Sequence, residues 1–443
     1  MIFIGIVADK SGEKTLKSNS HFGRDLVSAG LALSFIAAGA ILPANADENS
    51  PISVLLKYRQ QAEWKDKFDS SFRDQVAVRS TQPTLSPQTA EHISRAIERY
   101  SAIVSRGGWE KIPGGAKMRL GTSSQNVVYL RRRLAASGDL QAAAGMSNIF
   151  DSYVDLAVRR FQVRNGLAPN GIVDKSVLRS LNVSAQKRLA QLQTNMIRVR
   201  AMSGFLGDRY AMVNIPAAEI ETVESGVVHS RHTAVVGKID RQTPILNSKI
   251  YELNFNPYWH VPVSIIRKDL IPKMKKDPEY LKRNKIRIYD TKGEELTPEM
   301  VDWNTEEAVN YTFRQEPGEI NSLGSVRINF HNKHQVYLHD TPSKTLFGKD
   351  YRFHSSGCVR VQNVREFVTW VGKGNGGWSR ARVDELIRSG ERLDVKLKSR
   401  VPLYLAYVTA WANADGIVHF RDDIYKRDEP GADGNPSDSV ASR

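Results

Sequence analysis

The order of apolar and polar positions divides the chain into a helical part and a strand-rich part. Over residues 50–106 and 120–183, apolar residues recur at the three- and four-residue spacing of amphipathic helices, and residues 185–202 continue this pattern. From residue 210 onward, β-branched and aromatic residues alternate with polar ones between Gly and Asn turns, which is typical of strands. The sequence therefore predicts an α+β, multi-domain chain. A helical N-terminal scaffold with a three-helix module precedes a β-rich, β-sandwich-like domain.

One stretch interrupts the predicted strands. Residues 265–320 are basic and partly helical, and they end in the turn Glu316-Pro317-Gly318, so we interpret them as an insertion. Its basic stretch, residues 267–287, either forms a solvated helical face or caps a strand of an acidic polymer. Strands resume at VRINF and HQVYLHD, a helix is predicted over residues 380–389, and late strands follow in VPLYLAYVTAWA and HFRDDIY.

These changes of pattern also predict the domain boundaries. Residues 1–46 form a signal peptide, 47–115 a helical scaffold, 116–183 the three-helix module, 184–205 a linking helix, 206–426 the β-rich domain with its insertion at 265–320, and 427–443 a disordered tail. The tail is polar and rich in Pro, Gly and Ser, a composition that cannot bury a core.

The first 46 residues predict export. An uncharged apolar run, residues 26–42, follows several Lys and Arg residues and precedes the small-residue site Ala44-Asn45-Ala46. This order is typical of a secretory signal that is cut before Asp47. An uncleaved membrane anchor is the alternative, because the run approaches the length that spans a bilayer.

Composition narrows the range of partners. The 443 residues carry a formal net charge of +15, which favours binding to polyanions such as an acidic wall polymer, an anionic membrane surface or nucleic acid. No basic run is interleaved with aromatic residues, and this argues against nucleic acid. With 41% hydrophobic and 25% charged residues, the chain otherwise has the composition of a soluble globular protein.

The single cysteine, Cys358, is the strongest candidate for chemistry. An unpaired cysteine in an exported chain cannot form an internal disulfide, so it is either an inert core residue or a nucleophile. In HQVYLHD, alternation places Val336 and Leu338 on one face and Tyr337 and His339 on the other. His339 therefore ends a strand on the face opposite the core, where its imidazole is the candidate general base for the thiol.

The residues around Cys358 favour the nucleophile. An ion pair with His339 would lower the thiol pKa and give a thiolate at neutral pH. Gly357 allows a close backbone approach, and the N–H groups of Gly357 and Cys358 are candidates to bind an oxyanion, with Ser356 beside them. Arg360 lies two residues on, so in a strand it would share the face of Cys358 and could hold a carboxylate or support the loop.

The nearby histidines do not predict a metal site. His331 and His334 have H-x-x-H spacing, but in a strand they would face opposite sides and could not bind one ion together. We therefore expect no metal, and we expect no cofactor. His354 is predicted to flank the site in a loop. Tyr337 and Trp259 either line a substrate groove or belong to the core, as aromatic residues of β-rich domains often do.

These segments resemble a known family. HDTPSK (residues 339–344) and SSGCVRV (355–361) are similar to the active-site segments of L,D-transpeptidases, which have a YkuD-type catalytic domain. AVRRFQVRNGLAPNGIVD, in the helical module, resembles the peptidoglycan-binding domain of wall enzymes. The resemblance extends from about residue 120 to residue 425, and it is closer to the large Gram-negative members, which carry a substrate-capping insertion.

The resemblance implies roles for individual residues. Cys358 would be the nucleophile and His339 the base, with the backbone carbonyl of Asp340 as the third member of a triad. The side chain of Asp340 could instead point to solvent. Most members have a histidine at the position of Ser356, although the large subgroup also has Ser-Ser-Gly-Cys, so the base should be His339.

The implied reaction is acyl transfer in the periplasm. Cys358 would attack the carbonyl that joins the third residue of a peptidoglycan tetrapeptide to its terminal D-alanine, and D-alanine would leave. A diaminopimelate-type side-chain amine of a neighbouring stem would then resolve the thioester as a 3→3 cross-link. Two alternatives remain open. Water as acceptor would give an L,D-carboxypeptidase or endopeptidase, and a chain without catalysis would be a wall-binding scaffold.

Overall fold

The computed structural model describes residues 80–429 apart from residues 142, 143 and 205. The predicted signal peptide, the first part of the predicted scaffold and nearly all of the predicted tail lie outside the described residues. The described part belongs to one compact unit. None of the helices in this part has the length and apolar character needed to span a bilayer.

The helical part of the described chain precedes all of its strands. Its helices are α1 (Thr89–Ser105), α2 (Gln125–Ala136), α3 (Ser152–Arg164), α4 (Lys175–Leu181) and α5 (Ala185–Ser203). The side chains of Asp151, Asp174 and Ser184 accept backbone N–H groups at the first turns of α3, α4 and α5, which fixes where these helices begin. The helix predicted over residues 185–202 is confirmed as α5.

The helices bury their apolar faces in two different places. Those of α2, α3 and α4 pack on one another, and Leu130, Val158 and Phe161 lie fully buried between them. The faces of α1 and α5 pack against the strand-rich part, where Ile93 and Leu192 share a buried cluster with strand residues. The apolar residues at helical spacing in the sequence therefore belong to two separate hydrophobic cores.

The strands of the described chain are short except for three of them. They are β1 (Arg209–Asn214), β2 (Glu219–Glu224), β3 (Val227–Gly237), β4 (Leu246–Phe255), β5 (Trp259–His260), β6 (Ile286–Tyr289), β7 (Glu295–Leu296), β8 (Thr312–Gln315), β9 (Val326–Phe330), β10 (Leu338–His339), β11 (Phe353–Ser355), β12 (Val359–Val361), β13 (Leu393–Ala406), β14 (Ala410–Ala412) and β15 (Val418–Phe420).

The main sheet closes into a ring. β3, β12, β10, β9, β4, β13, β1 and β2 pair in this order, and β2 also pairs with β3. β11 adds a further parallel pairing to β3. The sandwich-like arrangement expected from the sequence is therefore corrected to one hydrogen-bonded sheet, because the pairing of β2 with β3 leaves no free edge between two layers.

Helices cover this sheet on both sides. The core cluster of the ring includes Phe367 and Val371 from α9 (Val364–Gly372) and Val383 from α10 (Arg380–Ser389), and all three are fully buried. The cluster beneath α1 and α5 covers other strand residues such as Met212. The helix predicted over residues 380–389 is confirmed as α10.

The segment between β4 and β9 has its own sheet and its own core, and we call its residues 259–315 the insertion. Its strands pair in the order β5-β8-β6-β7, and its helical segments are α6 (Val263–Ile265), the π-helical turn Ile266–Leu270, α7 (Ile271–Lys276) and α8 (Tyr280–Arg283). Leu281, Ile288 and Phe313 lie in its buried cluster. The sequence places an insertion at residues 265–320 and predicts no strands in it, because runs such as IRIY and TFRQ are short and lie among charges.

Gly237, at the end of β3, generates a test of this fold. A Cβ atom there would lie 2.2 Å from the backbone O of Arg241 and 2.6 Å from the backbone N of Thr243. Gly237→Ala should therefore lower the free energy of unfolding by about 1–3 kcal/mol, measured by chemical denaturation. Gly114→Ala is the control, since a Cβ at Gly114 meets nothing within 4 Å. Equal stability of the two variants would contradict the close approach.

Candidate active site

The site is built on three neighbouring strands. β10 pairs in parallel with β12, with His339 opposite Arg360, and in antiparallel with β9, with His339 opposite Arg327. Paired residues of adjacent strands project to the same face of a sheet. His339 therefore lies between two guanidinium groups on one face of the sheet.

The opposite face of these strands belongs to the core. Leu338, Val359 and Ile328 are fully buried in the core cluster of the ring. The alternation predicted for HQVYLHD is confirmed for Leu338 and His339, which form β10, whereas Val336 precedes the strand and also lines the cleft described below. Since Arg360 follows Cys358 by two residues, the predicted sharing of a face also fits the register of β12.

A cleft with a volume of about 300 Å³ runs between this face and the insertion. The sheet domain contributes Cys358, His339, Arg360, Tyr337, Ser355 and Ser356 to its lining, and the insertion contributes Trp259, Ile265, Asp269, Leu270, Lys273 and Tyr280. The structure therefore brings together most of the residues predicted for the site. Tyr337 and Trp259 line the groove, and Tyr337 is also buried.

His339 is buried and uncharged at neutral pH. Only 5% of the residue is exposed, and its Nδ1 atom has no hydrogen-bond partner among the described residues. Burial, together with the positive charge of Arg360, lowers the pKa of His339 to about 3, and the backbone and carboxylate of Asp340 only partly oppose this. The imidazole is therefore neutral at rest, with one protonated and one unprotonated ring nitrogen, and its surroundings make it a weaker base than a free histidine.

Cys358 is correspondingly a thiol. Burial raises its pKa to about 11, although the backbone and phenol of Tyr337 and the charges of Arg327 and Arg360 act in the lowering direction. Both pKa shifts therefore act against the expected thiolate–imidazolium ion pair and favour the neutral pair. Desolvation penalises both charged forms, and the two arginines add to the penalty on the imidazolium.

The loop that carries Cys358 is held by local hydrogen bonds. Gly357 has φ +114°, a conformation that L side chains rarely adopt. Its N–H donates to Ser355 Oγ at 3.1 Å, and Ser355 Oγ donates to the carbonyl of Cys358 at 2.5 Å. The expectation that the Gly357 N–H binds an oxyanion is therefore corrected for this conformation, because that donor is already used.

Asp340 does not point to solvent. Its carboxylate is buried, accepts from the N–H of Ser325 at 2.9 Å and from Ser325 Oγ at 2.8 Å, and forms an ion pair with Lys344. Burial opposes ionisation, but Lys344 and Ser325 hold the pKa of Asp340 below its ordinary value. Its side chain fixes the turn before β9 against the end of β10, which is a structural contribution to the position of His339.

The segment before β4 was not predicted to belong to the site. The Arg241 guanidinium pairs with Asp269 of the insertion and donates to Ser356 Oγ at 2.9 Å, and Thr243 Oγ1 donates to the Gly357 carbonyl at 2.8 Å. No motif in RQT signals these contacts. They depend on the return of the chain past Gly237, which only the fold determines.

Two of the histidines considered as candidates, His354 and His331, lie outside the lining of the cleft. His354 is only partly buried, its Nε2 lies 3.0 Å from the carbonyl of Tyr351, and it does not belong to the lining of the cleft described above. His331 stacks on Tyr251 with ring centroids 4.2 Å apart. Over the ranges that the structure describes, no group of His, Cys, Asp and Glu converges in a way that could hold a metal ion.

Comparison with family models identifies two domains. Residues 208–383 match the YkuD model, the L,D-transpeptidase catalytic domain, and residues 123–181 match PG_binding_1, described as "Putative peptidoglycan binding domain". Residues 208–383 are thus similar to an L,D-transpeptidase catalytic domain, and the helical segment before them is similar to a peptidoglycan-binding domain. Cys358, His339 and the segment around Arg241 all fall within the matched catalytic domain.

A curated relative agrees with this assignment. A protein of Haemophilus influenzae described as "Putative L,D-transpeptidase" is 33% identical over 239 residues, which are 54% of this chain and 48% of that protein. The matched region thus spans about half the length of this relative.

Solved structures of similar description were also found. An L,D-transpeptidase from Mycobacterium smegmatis is 14% identical over 45% of this chain and 58% of its own, with a TM-score of 0.23. An L,D-transpeptidase from Stackebrandtia nassauensis is 12% identical over 67% and 96%, with a TM-score of 0.24. TM-scores this low support no conclusion about fold or activity.

The neutral state of the Cys358 thiol predicts a pH profile. Because the thiolate is the reactive form and the pKa is raised, the rate of alkylation by iodoacetamide should rise about tenfold per pH unit between about pH 7 and pH 9. Intact mass measures the rate, since the chain has one cysteine. A free thiol of ordinary pKa is the control and should level off at about pH 9. A rate that is already constant at neutral pH would show an ion-paired thiolate instead.

Proposed function

We propose that this protein is an exported L,D-transpeptidase that forms 3→3 cross-links in peptidoglycan through a cysteine acyl-enzyme. The observation that supports this most is the placement of Cys358 and His339. Both line one cleft of the matched catalytic domain, on the same face of paired strands. The thiol is the one cysteine of the chain, so it is free to react.

Acylation begins from the neutral pair. As Cys358 Sγ attacks the carbonyl carbon between the third residue of a tetrapeptide and D-alanine, its proton passes to His339. The C–N bond then breaks, the imidazolium gives its proton to the leaving amine, and D-alanine departs. A thioester remains on Cys358. Since the lowered pKa of His339 and the raised pKa of Cys358 disfavour proton transfer before the attack, the proton moves as the new bond to carbon forms.

Deacylation uses the same imidazole in reverse. The side-chain amine of a neighbouring diaminopimelate-type stem attacks the thioester carbonyl and loses a proton to His339. The C–S bond breaks, and the sulfur regains a proton from the imidazolium. The products are a new amide between two third residues and the original neutral pair, so no cofactor is required.

Arg360 gives this cleft a preference for substrates with a carboxylate. It lies two residues from the nucleophile and lines the cleft, and its Nε is buried without a hydrogen-bond partner among the described residues. The positively charged Arg327 lies on the other side of His339. The carboxylate of the terminal D-alanine lies one residue from the scissile carbonyl, so it is placed to pair with Arg360.

The helical domain supplies attachment to the wall. Its match to a peptidoglycan-binding domain supports binding to the same polymer that the cleft modifies. We place the protein in the periplasm, as the first 46 residues predict, with a membrane anchor if the signal is retained. The net charge of +15 favours retention near anionic wall and membrane surfaces.

Removal of the nucleophile tests the proposal directly. Cys358→Ala should abolish formation of 3→3 dimers from purified tetrapeptide wall fragments, measured by mass spectrometry, because no thioester can form. His354→Ala is the matched control and should retain dimer formation, since His354 lies outside the lining of the cleft. Undiminished dimers with Cys358→Ala would refute the mechanism. Tripeptide monomers without dimers from the unaltered protein would identify water as the acceptor.

The carboxylate preference has its own test. Arg360→Gln should lower kcat/KM for a tetrapeptide about 10- to 100-fold, the cost of losing a hydrogen bond to a charged group. The same peptide with a terminal carboxamide should be a poor substrate for the unaltered protein, and Arg360→Gln should treat the two peptides alike. If the variant still discriminates between them, another residue binds the carboxylate.

A further inference from the structure

One side chain connects the two walls of the cleft. Arg241 lies in the loop that follows β3, in the sheet domain, and its guanidinium binds both carboxylate oxygens of Asp269, which belongs to the π-helical turn of the insertion. The same NH1 group donates to Ser356 Oγ at 2.9 Å. Asp269, Ser356 and Cys358 all line the cleft, so this bridge lies at the mouth of the site.

The ion pair between Arg241 and Asp269 is partly buried and held by several contacts. The Arg241 side chain is only 14% exposed and that of Asp269 29%, so the pair is sheltered from solvent. The hydrogen bonds and charge of Asp269 raise the pKa of Arg241 despite the opposing effect of its burial. Asp269 lies in a π-helical turn, a rare conformation that is frequently found at functional sites.

The loop around Arg241 also supports the loop of the nucleophile. Thr243 Oγ1 donates to the Gly357 carbonyl at 2.8 Å and accepts the N–H of Gly237 at 2.9 Å. The position of the Ser355–Cys358 segment therefore depends on residues 241–243 at two successive points, Ser356 Oγ and the Gly357 carbonyl. A displacement of Arg241 moves one of these two supports.

We infer that Arg241 is a positioning residue that couples closure of the insertion to the geometry of the nucleophile loop. While Asp269 holds the guanidinium, Arg241 holds Ser356, and the loop keeps Cys358 in its reactive position beneath a closed insertion. When the insertion opens, Arg241 loses its counter-ion and its hold on Ser356 weakens. Efficient attack thus requires a closed cleft. This inference rests on the proposed function for its consequence in catalysis, but not for the coupling itself.

The coupling can be measured without any wall substrate, because alkylation of the single cysteine reports access to Cys358. Asp269→Asn and Arg241→Gln should each raise the rate of alkylation by iodoacetamide about tenfold at fixed pH, as a minor open state becomes a major one. The double variant should alkylate no faster than either single variant, since both remove the same contact.

Arg267→Gln is the matched control. Arg267 lies in the same π-helical turn and pairs with Glu306 at 3.0 Å, but both side chains are exposed, 48% and 67%. Its alkylation rate and turnover should equal those of the unaltered protein. If Asp269→Asn and Arg241→Gln also behave like this control, the coupling is refuted. The thermal unfolding temperature of each variant shows whether faster alkylation comes from a loss of folded protein. Asp269→Asn is nearly isosteric, so it removes the charge with the smallest change in packing.

Measurement of kcat and KM distinguishes a positioning role of Arg241 from a purely structural one. Arg241→Gln should lower kcat about tenfold or more with little change in KM, and Arg241→Lys, which retains the charge, should recover part of kcat. If the protein has no cross-linking activity, kcat cannot be compared, but the alkylation rates still test the coupling. Increased alkylation with unchanged kcat would show a lid that controls access alone, which would overturn the role of Arg241 in positioning.

Discussion

The site depends on the pairing of β10 with its two neighbours. β10 has only two strand residues, yet its register sets Leu338 between Val359 and Ile328 in the core and His339 between Arg360 and Arg327 on the cleft side. A shift of one residue would bury the histidine side chain in the apolar core and expose Leu338. The full burial of Leu338, Val359 and Ile328 therefore stabilises the register that places the candidate base beside the nucleophile.

Burial at this face has a chemical consequence. It holds Cys358 as a thiol and His339 as a neutral imidazole, because a low-dielectric surrounding penalises both charged forms. The positive charges of Arg360 and Arg327 further disfavour a cationic imidazole.

The insertion completes the site from the other side. It has its own sheet and core, and Arg241 connects it to the sheet domain through Asp269 and Ser356. The glycine at position 237 has a role in this connection, because it allows residues 241–243 to pass close to the end of β3.

The sequence by itself determined the components. Alternation in HQVYLHD set the faces of Leu338 and His339, helical spacing located α5 and α10, and a solitary cysteine in Ser-Ser-Gly-Cys identified the nucleophile candidate, because these signals are local. Tertiary structure decided what depends on contacts between distant segments. The closure of the sheet, the strands of the insertion, the charge state of the Cys358–His339 pair, the engagement of the Gly357 N–H and the bridge through Arg241 all follow from desolvation and from chain crossings, which no local pattern of residue types records.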